Sequence, residues 1–240
     1  MKHYLLFILA LFCLAQSPNI IKFSQIPINA FGFWRLLIAA CILYGIHYFR
    51  TSKPIFSFNK NSFPFKFKKN HLLIILSGIV FFTHLWTFFF AAKNTQIANA
   101  MIIYSVNPLF TALGSFLFFQ EKFTWKLFFS YLLAFSGILI IFSSGFELHS
   151  DRFLGDASAL LSAFLFAVYA LISKHVRKNV DNLVFAATVY LITSLCFGLN
   201  GLSQQQNFWG YSTTDLITLA ASILIPTLLG HALFTYLLNH

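Results

Sequence analysis

Apolar runs of about 20 residues recur along the whole chain, and no other feature restricts its fold as strongly. At 1.5 Å per residue a helix of that length crosses the hydrocarbon core of a bilayer. Within lipid, a helix is stable because it satisfies its own backbone hydrogen bonds. Eight stretches qualify, near residues 4–22, 29–49, 71–92, 96–119, 127–145, 156–175, 183–202 and 215–238. Only 9% of the 240 residues are charged and 58% are hydrophobic, where soluble domains carry about 25% charged residues. The sequence therefore predicts an all-α polytopic membrane protein with eight transmembrane helices.

The formal net charge of +10 is spread over loops between spans rather than gathered on one face, which sets nucleic acid aside as a partner. Arg50, Lys53, Lys60, Lys66, Lys68 and Lys69 fall in one loop without an acid, a cytoplasmic signature. Lys2, Lys122, Lys126, Lys174, Arg177 and Lys178 fall on the same side, and Glu147, Asp151, Asp156 and Asp215 on the other. This arrangement predicts a cytoplasmic N-terminus in a cell membrane, of the bacterial inner-membrane kind. The apolar run from Lys2 to Ala15 reads as a first span continuing through Ile20 and Ile21, in preference to a signal peptide cleaved near Cys13-Leu14-Ala15. Cys13, Cys41 and Cys196 lie inside apolar runs with no disulfide or metal spacing.

The stretch Ala98 to Phe142 joins two apolar runs through a short elbow, Gln120-Glu121-Lys122. Pro108 falls midway in the first run, where a helix needs neighbours to serve the carbonyl that proline leaves without a donor. Glu121 reads as a cap or anchor of the elbow at the membrane surface. The spans also repeat. His84 opens HLWTFFFAAK in the third and His231 opens HALFTYLLNH in the eighth, and Gln16 to Lys22 aligns loosely with Val168 to Lys174. A separation of five spans inverts the second copy in the membrane. The expected organisation is two inverted five-helix repeats, 1–145 complete and 146–240 incomplete with three helices. A second hairpin like that around Pro108 is expected beyond His240.

At these residues the chain resembles the EamA-type family of the drug/metabolite transporter superfamily, apparently without its last two helices. The resemblance rests on the NPLF proline at Pro108, Glu121 and Thr124 at the elbow, Gly137, Arg35, Lys22, and the sixth-span opening GDASALLSAFLFAVYALISK. Gln120 stands where the family commonly has Gly. The resemblance implies a secondary transporter, an exporter of small metabolites working by alternating access.

Polar side chains inside spans should face each other or a cavity. At about 100° per residue, Ser158, Ser162, Tyr169 and Ser173 share a face of the sixth span, beside a small-residue ridge of Ala159, Ala163 and Ala167. Gln96, Asn99, Tyr104, Asn107, Thr111 and Ser115 share about half of the fourth. Thr83, His84 and Thr87 cluster in the third span, as Thr227, His231 and Thr235 do in the eighth. The expectation is a central cavity lined by these faces, walled by Trp86, Tyr104, Tyr169 and Tyr236. Hydroxyls bonded to their own helix carbonyls are the alternative. His84 and His231 are candidates for proton coupling, or for plain cross-helix hydrogen bonds. Lys22 and Arg35 either snorkel to the outer surface or bind ligand.

No phosphate-cradling GxxxxGK[ST] loop, cofactor motif or metal cluster stands in the sequence. The six acids are scattered over loops, which argues against a membrane-embedded enzyme. The remaining alternative is a truncated or partner-dependent chain, inactive alone, completed by a second copy or a complementing chain.

Overall fold

The computed structural model describes residues 2–52, 69–120, 124–142 and 152–233. Glu121, Tyr236, the basic loop from Lys53, the 145/146 repeat boundary and the residues near His240 lie outside them. Among the described residues the structure is helical, with no strand. The helices are α1 (Lys2–Ala15), α2 (Ser17–Phe23), α3 (Ile28–Thr51), α4 (Lys69–Asn94), α5 (Ile97–Tyr104), α6 (Asn107–Phe119), α7 (Trp125–Phe142), α8 (Phe153–Val176), α9 (Asn182–Ser203) and α10 (Thr213–Ser222). A π-helical segment, Ile223–Ala232, continues from α10.

Seven stretches of described helix are long and apolar enough to cross a membrane: 4–23, 28–51, 71–94, 97–119, 153–176, 182–203 and 213–232. The expected fifth span, near 127–145, coincides with α7, whose described apolar stretch is the shorter Phe128–Gly137.

Three of the seven are irregular, and each irregularity sits beside a proline. The first span breaks at Gln16, so that Pro18 enters the first turn of α2. The fourth breaks at Ser105 and Val106, so that Pro108 falls in the first turn of α6. Pro108 thus lies midway in the span, as expected, at the first turn of its second helical piece. In a first turn the missing N–H has no intrahelical partner to lose. The last span keeps Pro226 inside it and widens to a π-helix instead. There Thr227 Oγ1 donates to the Ser222 carbonyl at 2.8 Å, the acceptor that the N–H of residue 226 would have bonded in an α-helix.

Caps close several ends. Asp181 accepts from the Leu183 and Val184 N–H groups at 2.9 and 3.3 Å. Ser212 and Asp215 bond reciprocally at the start of α10, N–H to hydroxyl at 3.1 Å and hydroxyl to carboxylate at 2.8 Å. Gln120 ends α6 in the left-handed region at φ 54°.

The described chain divides into two compact units, 1–82 with 175–240, and 83–174. The first unit is built on the pairing of α3 with α9. Gly32 receives the Phe197 ring and Gly198 receives the Phe33 ring, a reciprocal fit in which a Cβ on either glycine would stand 2.7 or 3.0 Å from the opposing ring. Close backbone approach of this kind is how apolar helices associate where burial from water supplies no drive. Thr193 donates to the Gly78 carbonyl at 2.9 Å and Ser194 to the Phe33 carbonyl at 3.0 Å. At one end of the unit, carboxamides of Asn29, Asn200 and Gln204 bond in a ring at 2.9 to 3.4 Å. Trp34 Nε1 holds the following loop through the Phe208 carbonyl at 2.9 Å.

The second unit gathers the end of α4, α5, α6, α7 and most of α8. Ala91, Ala100 and Ala159, each at most 2% exposed, bring α4, α5 and α8 together at their narrowest. The alanine ridge expected on the sixth span is buried, with Ala159, Ala163 and Ala167 at 0, 0 and 2% exposure.

Candidate functional site

In the second unit, α4 brings His84 against Ser162 of α8. The imidazole Nδ1 lies 3.0 Å from the Ser162 carbonyl oxygen and 2.9 Å from its hydroxyl, and the hydroxyl donates back to the His84 carbonyl at 3.1 Å. A carbonyl only accepts, so the arrangement is satisfied with the proton on Nδ1. Both residues are buried, at 2 and 0% exposure. The exchange ties two spans together by the cross-helix route.

Aromatic rings surround this pair. Phe166, Tyr104 and Phe88 stand 5.0, 6.0 and 6.2 Å from the imidazole, centroid to centroid. Tyr104 packs on Phe88 at 5.3 Å, and Phe166 on Tyr169 at 5.9 Å. Asn107, in the first turn of α6, donates its amide to the Ala163 carbonyl at 2.7 Å. The structure thus gathers five sequence-predicted residues, His84, Tyr104, Asn107, Ser162 and Tyr169, in one cluster across α4, α5, α6 and α8.

The cluster meets open space at the helix break. A cavity of about 270 Å³ is lined by Tyr104, Ser105, Asn107, Pro108, Leu109, Tyr131 and Phe135. A neighbouring one of about 300 Å³ shares Leu109 and Tyr131 and runs along Leu113 and Phe116. Their walls are apolar except near the break, so the groove offers a hydrocarbon lining with a polar end at Tyr104 and Asn107.

Other predicted residues have different surroundings. Trp86 stacks on Phe90 at 5.5 Å, about 200° around α4 from His84, and its buried Nε1 makes no hydrogen bond among the described residues. Asn99 is fully buried. The Thr111, Thr87 and Ser173 hydroxyls bond carbonyls of their own helices at 3.1, 2.8 and 2.7 Å, the alternative weighed above.

The remaining candidates belong to the first unit. His231 lies edge-on to Phe81 at 5.7 Å. Lys22 is exposed in the last turn of α2, as snorkelling requires. Arg35 does not snorkel. It is 1% exposed, and its Nε donates to Thr227 Oγ1 at 2.7 Å, inside the π-helical segment. Sequence reasoning missed this pairing, whose only local signal is the threonine directly after a mid-span proline. It also missed Asp156, counted among loop acids but buried in the first turn of α8 with its Oδ1 2.6 Å from the Thr95 hydroxyl. Outside the spans, burial and the Asp215 charge raise the Tyr211 phenol above its ordinary range, while its hydroxyl donates to the Asn207 carbonyl.

Comparison with known proteins places these observations in a family. A solved crystal structure aligns over 99% of this chain and 78% of its own with a TM-score of 0.73 and 16% sequence identity, which shows a shared fold. The mouse protein named solute carrier family 35 member G1 is 27% identical over 125 residues, 48% of this chain. That match spans about a third of the mouse protein's length, 34%. The model of the EamA-like transporter family matches residues 1–143, more than half of the chain. This multi-pass membrane protein belongs to the EamA-like transporter family.

Proposed function

We propose that the protein is a secondary transporter exporting a small polar or amphipathic metabolite across a bacterial inner membrane, with its N-terminus in the cytoplasm. Alternating access between inverted repeats, 1–145 and 146–240, is the expected form of the cycle. The carrying observation is the break at Ser105 and Val106. It falls roughly 13 Å along a 23-residue span; the backbone there stays right-handed but tightens, with the Val106 N–H on the Ile103 carbonyl at 3.3 Å just ahead of Pro108, and such a tightened turn in mid-span is a natural hinge. Here it stands beside the His84, Tyr104, Asn107 cluster and the groove. A solute with a polar head and an apolar body matches that lining, the head at Tyr104 and Asn107. The solute-carrier name of the mouse relative supports the same reading.

The test is flux of a metabolite panel in proteoliposomes carrying the full-length protein. At least one solute should equilibrate faster than in protein-free vesicles. Equal fluxes with and without the protein for every solute would remove the proposal.

A further inference from the structure

Asp156 stands in the first turn of α8, where an aspartate complements the positive end of a helix. Its surroundings demand more than that. The side chain is 6% exposed, and Oδ1 accepts from Thr95 Oγ1 at 2.6 Å. Oδ2 is shut off from the surface with no hydrogen-bond partner among the described residues. One carboxylate oxygen thus meets a single hydroxyl and the other is buried without a hydrogen-bond partner among the described residues, an arrangement that favours a cation beside it.

The groups nearest in the chain are oxygen donors. Thr95 follows directly on the last residue of α4; its N–H serves the Ala91 carbonyl at 3.0 Å, and the last three carbonyls of α4 have no intrahelical donor. The Asn94 carbonyl carbon and oxygen lie 2.9 Å from where a Cβ on Gly155 would stand, so the end of α4 rests on the backbone just before Asp156. The carbonyl end of α4 thus lies against the residue that precedes Asp156. One turn further along α8, Ala159 packs with Ala91 and Ala100 and closes the floor.

We propose that Asp156, with the Thr95 hydroxyl and the carbonyl end of α4, binds a monovalent metal cation such as sodium. Charge selects the class, because one carboxylate balances one positive charge. Among the described residues no group of three His, Cys, Asp or Glu could hold a metal ion. Donor type selects a hard ion, since carboxylate, hydroxyl and carbonyl oxygens favour hard cations. Carbonyls at helix ends are sodium ligands in membrane transporters. Lys93 and Arg152, charged residues on the two flanking chain segments, each take part in an interaction. The site stands on its own geometry, apart from the transport reading, and binding is measurable without any solute.

The experiment is thermal unfolding of the purified full-length protein in detergent, at fixed pH and ionic strength, in sodium, potassium or choline chloride. An ion at a hundredfold excess over its dissociation constant should raise the midpoint by roughly 5 °C or more. Asp156→Asn should abolish the sodium-dependent rise, and Thr95→Val should reduce it. A wild-type midpoint equal in all three salts overturns the proposal, as does an undiminished sodium rise in Asp156→Asn. If Asp156→Asn does not fold, the same comparison on Thr95→Val decides, and an undiminished rise there overturns the ligand set.

Discussion

Thr227→Val tests how the membrane span around Pro226 is held. Valine keeps the shape of threonine and opens no cavity, so the loss is confined to hydrogen bonds. The Arg35 Nε–H would face a methyl group in place of an oxygen 2.7 Å away. The Ser222 carbonyl would lose the hydroxyl 2.8 Å away that stands in for the missing N–H of Pro226. A hydrogen bond to a charged group contributes about 1.5–3 kcal/mol, and a neutral one between membrane helices about 0.6 kcal/mol. The sum is about 2–4 kcal/mol. At about 2–4 °C per kcal/mol for a chain of this size, thermal unfolding in detergent should shift down by roughly 4–14 °C. Thr227→Ser should retain most of the stability. Pro226→Ala restores a backbone donor for Ser222, so the cost of Thr227→Val in that background should fall by about the neutral bond, ~0.6 kcal/mol. A Thr227→Val midpoint within 1 °C of wild type, or equal losses for Ser and Val, would show that these hydrogen bonds do not hold the span.

Gly32→Ala places a Cβ 2.7 Å from the Phe197 ring, which is fully buried, and should cost about 1–3 kcal/mol in the same unfolding assay. Gln120→Gly relieves a side chain from φ 54° at the end of α6 and should raise stability by about 0.5–1 kcal/mol. For Tyr211 the raised phenol favours the neutral form in the folded state, so the unfolded chain loses that proton first as pH rises. Stability should therefore be level below about pH 10 and decline from there through the raised folded value. Tyr211→Phe should flatten that alkaline slope in unfolding titrations, and an unchanged slope would exclude the residue as its source.

Hydropathy made the spans legible because a lipid-crossing helix must be long and apolar whatever it packs against. The breaks were not legible in the same way. Ser105 and Val106 sit in an unbroken apolar run, and Pro108 fits both a kinked helix and the first turn of a new one. Helical facing put Thr83, His84 and Thr87 together and Ser158, Ser162 and Tyr169 together, since both sets follow from 100° per residue. Pairing His84 with Ser162 requires knowing which faces oppose across 78 positions, and local periodicity carries no such information. Arg35 shows the same limit. A lone cation one-third of the way into a span looks like a snorkelling residue until its acceptor, 192 positions away, is placed beside it. Asp156 was misassigned by a boundary, because two or three residues at a span end separate a solvated loop acid from a buried one.

A solute passing along the polar end of the groove at the α5 and α6 break should depend on Tyr104 and Asn107. The most direct measurement is counterflow of a transported solute in proteoliposomes, comparing wild type with Tyr104→Ala and Asn107→Ala at equal amounts of folded protein. Each variant should lose at least roughly tenfold in exchange rate, about 1.4 kcal/mol of lost interaction. Wild-type exchange rates in both variants would contradict it.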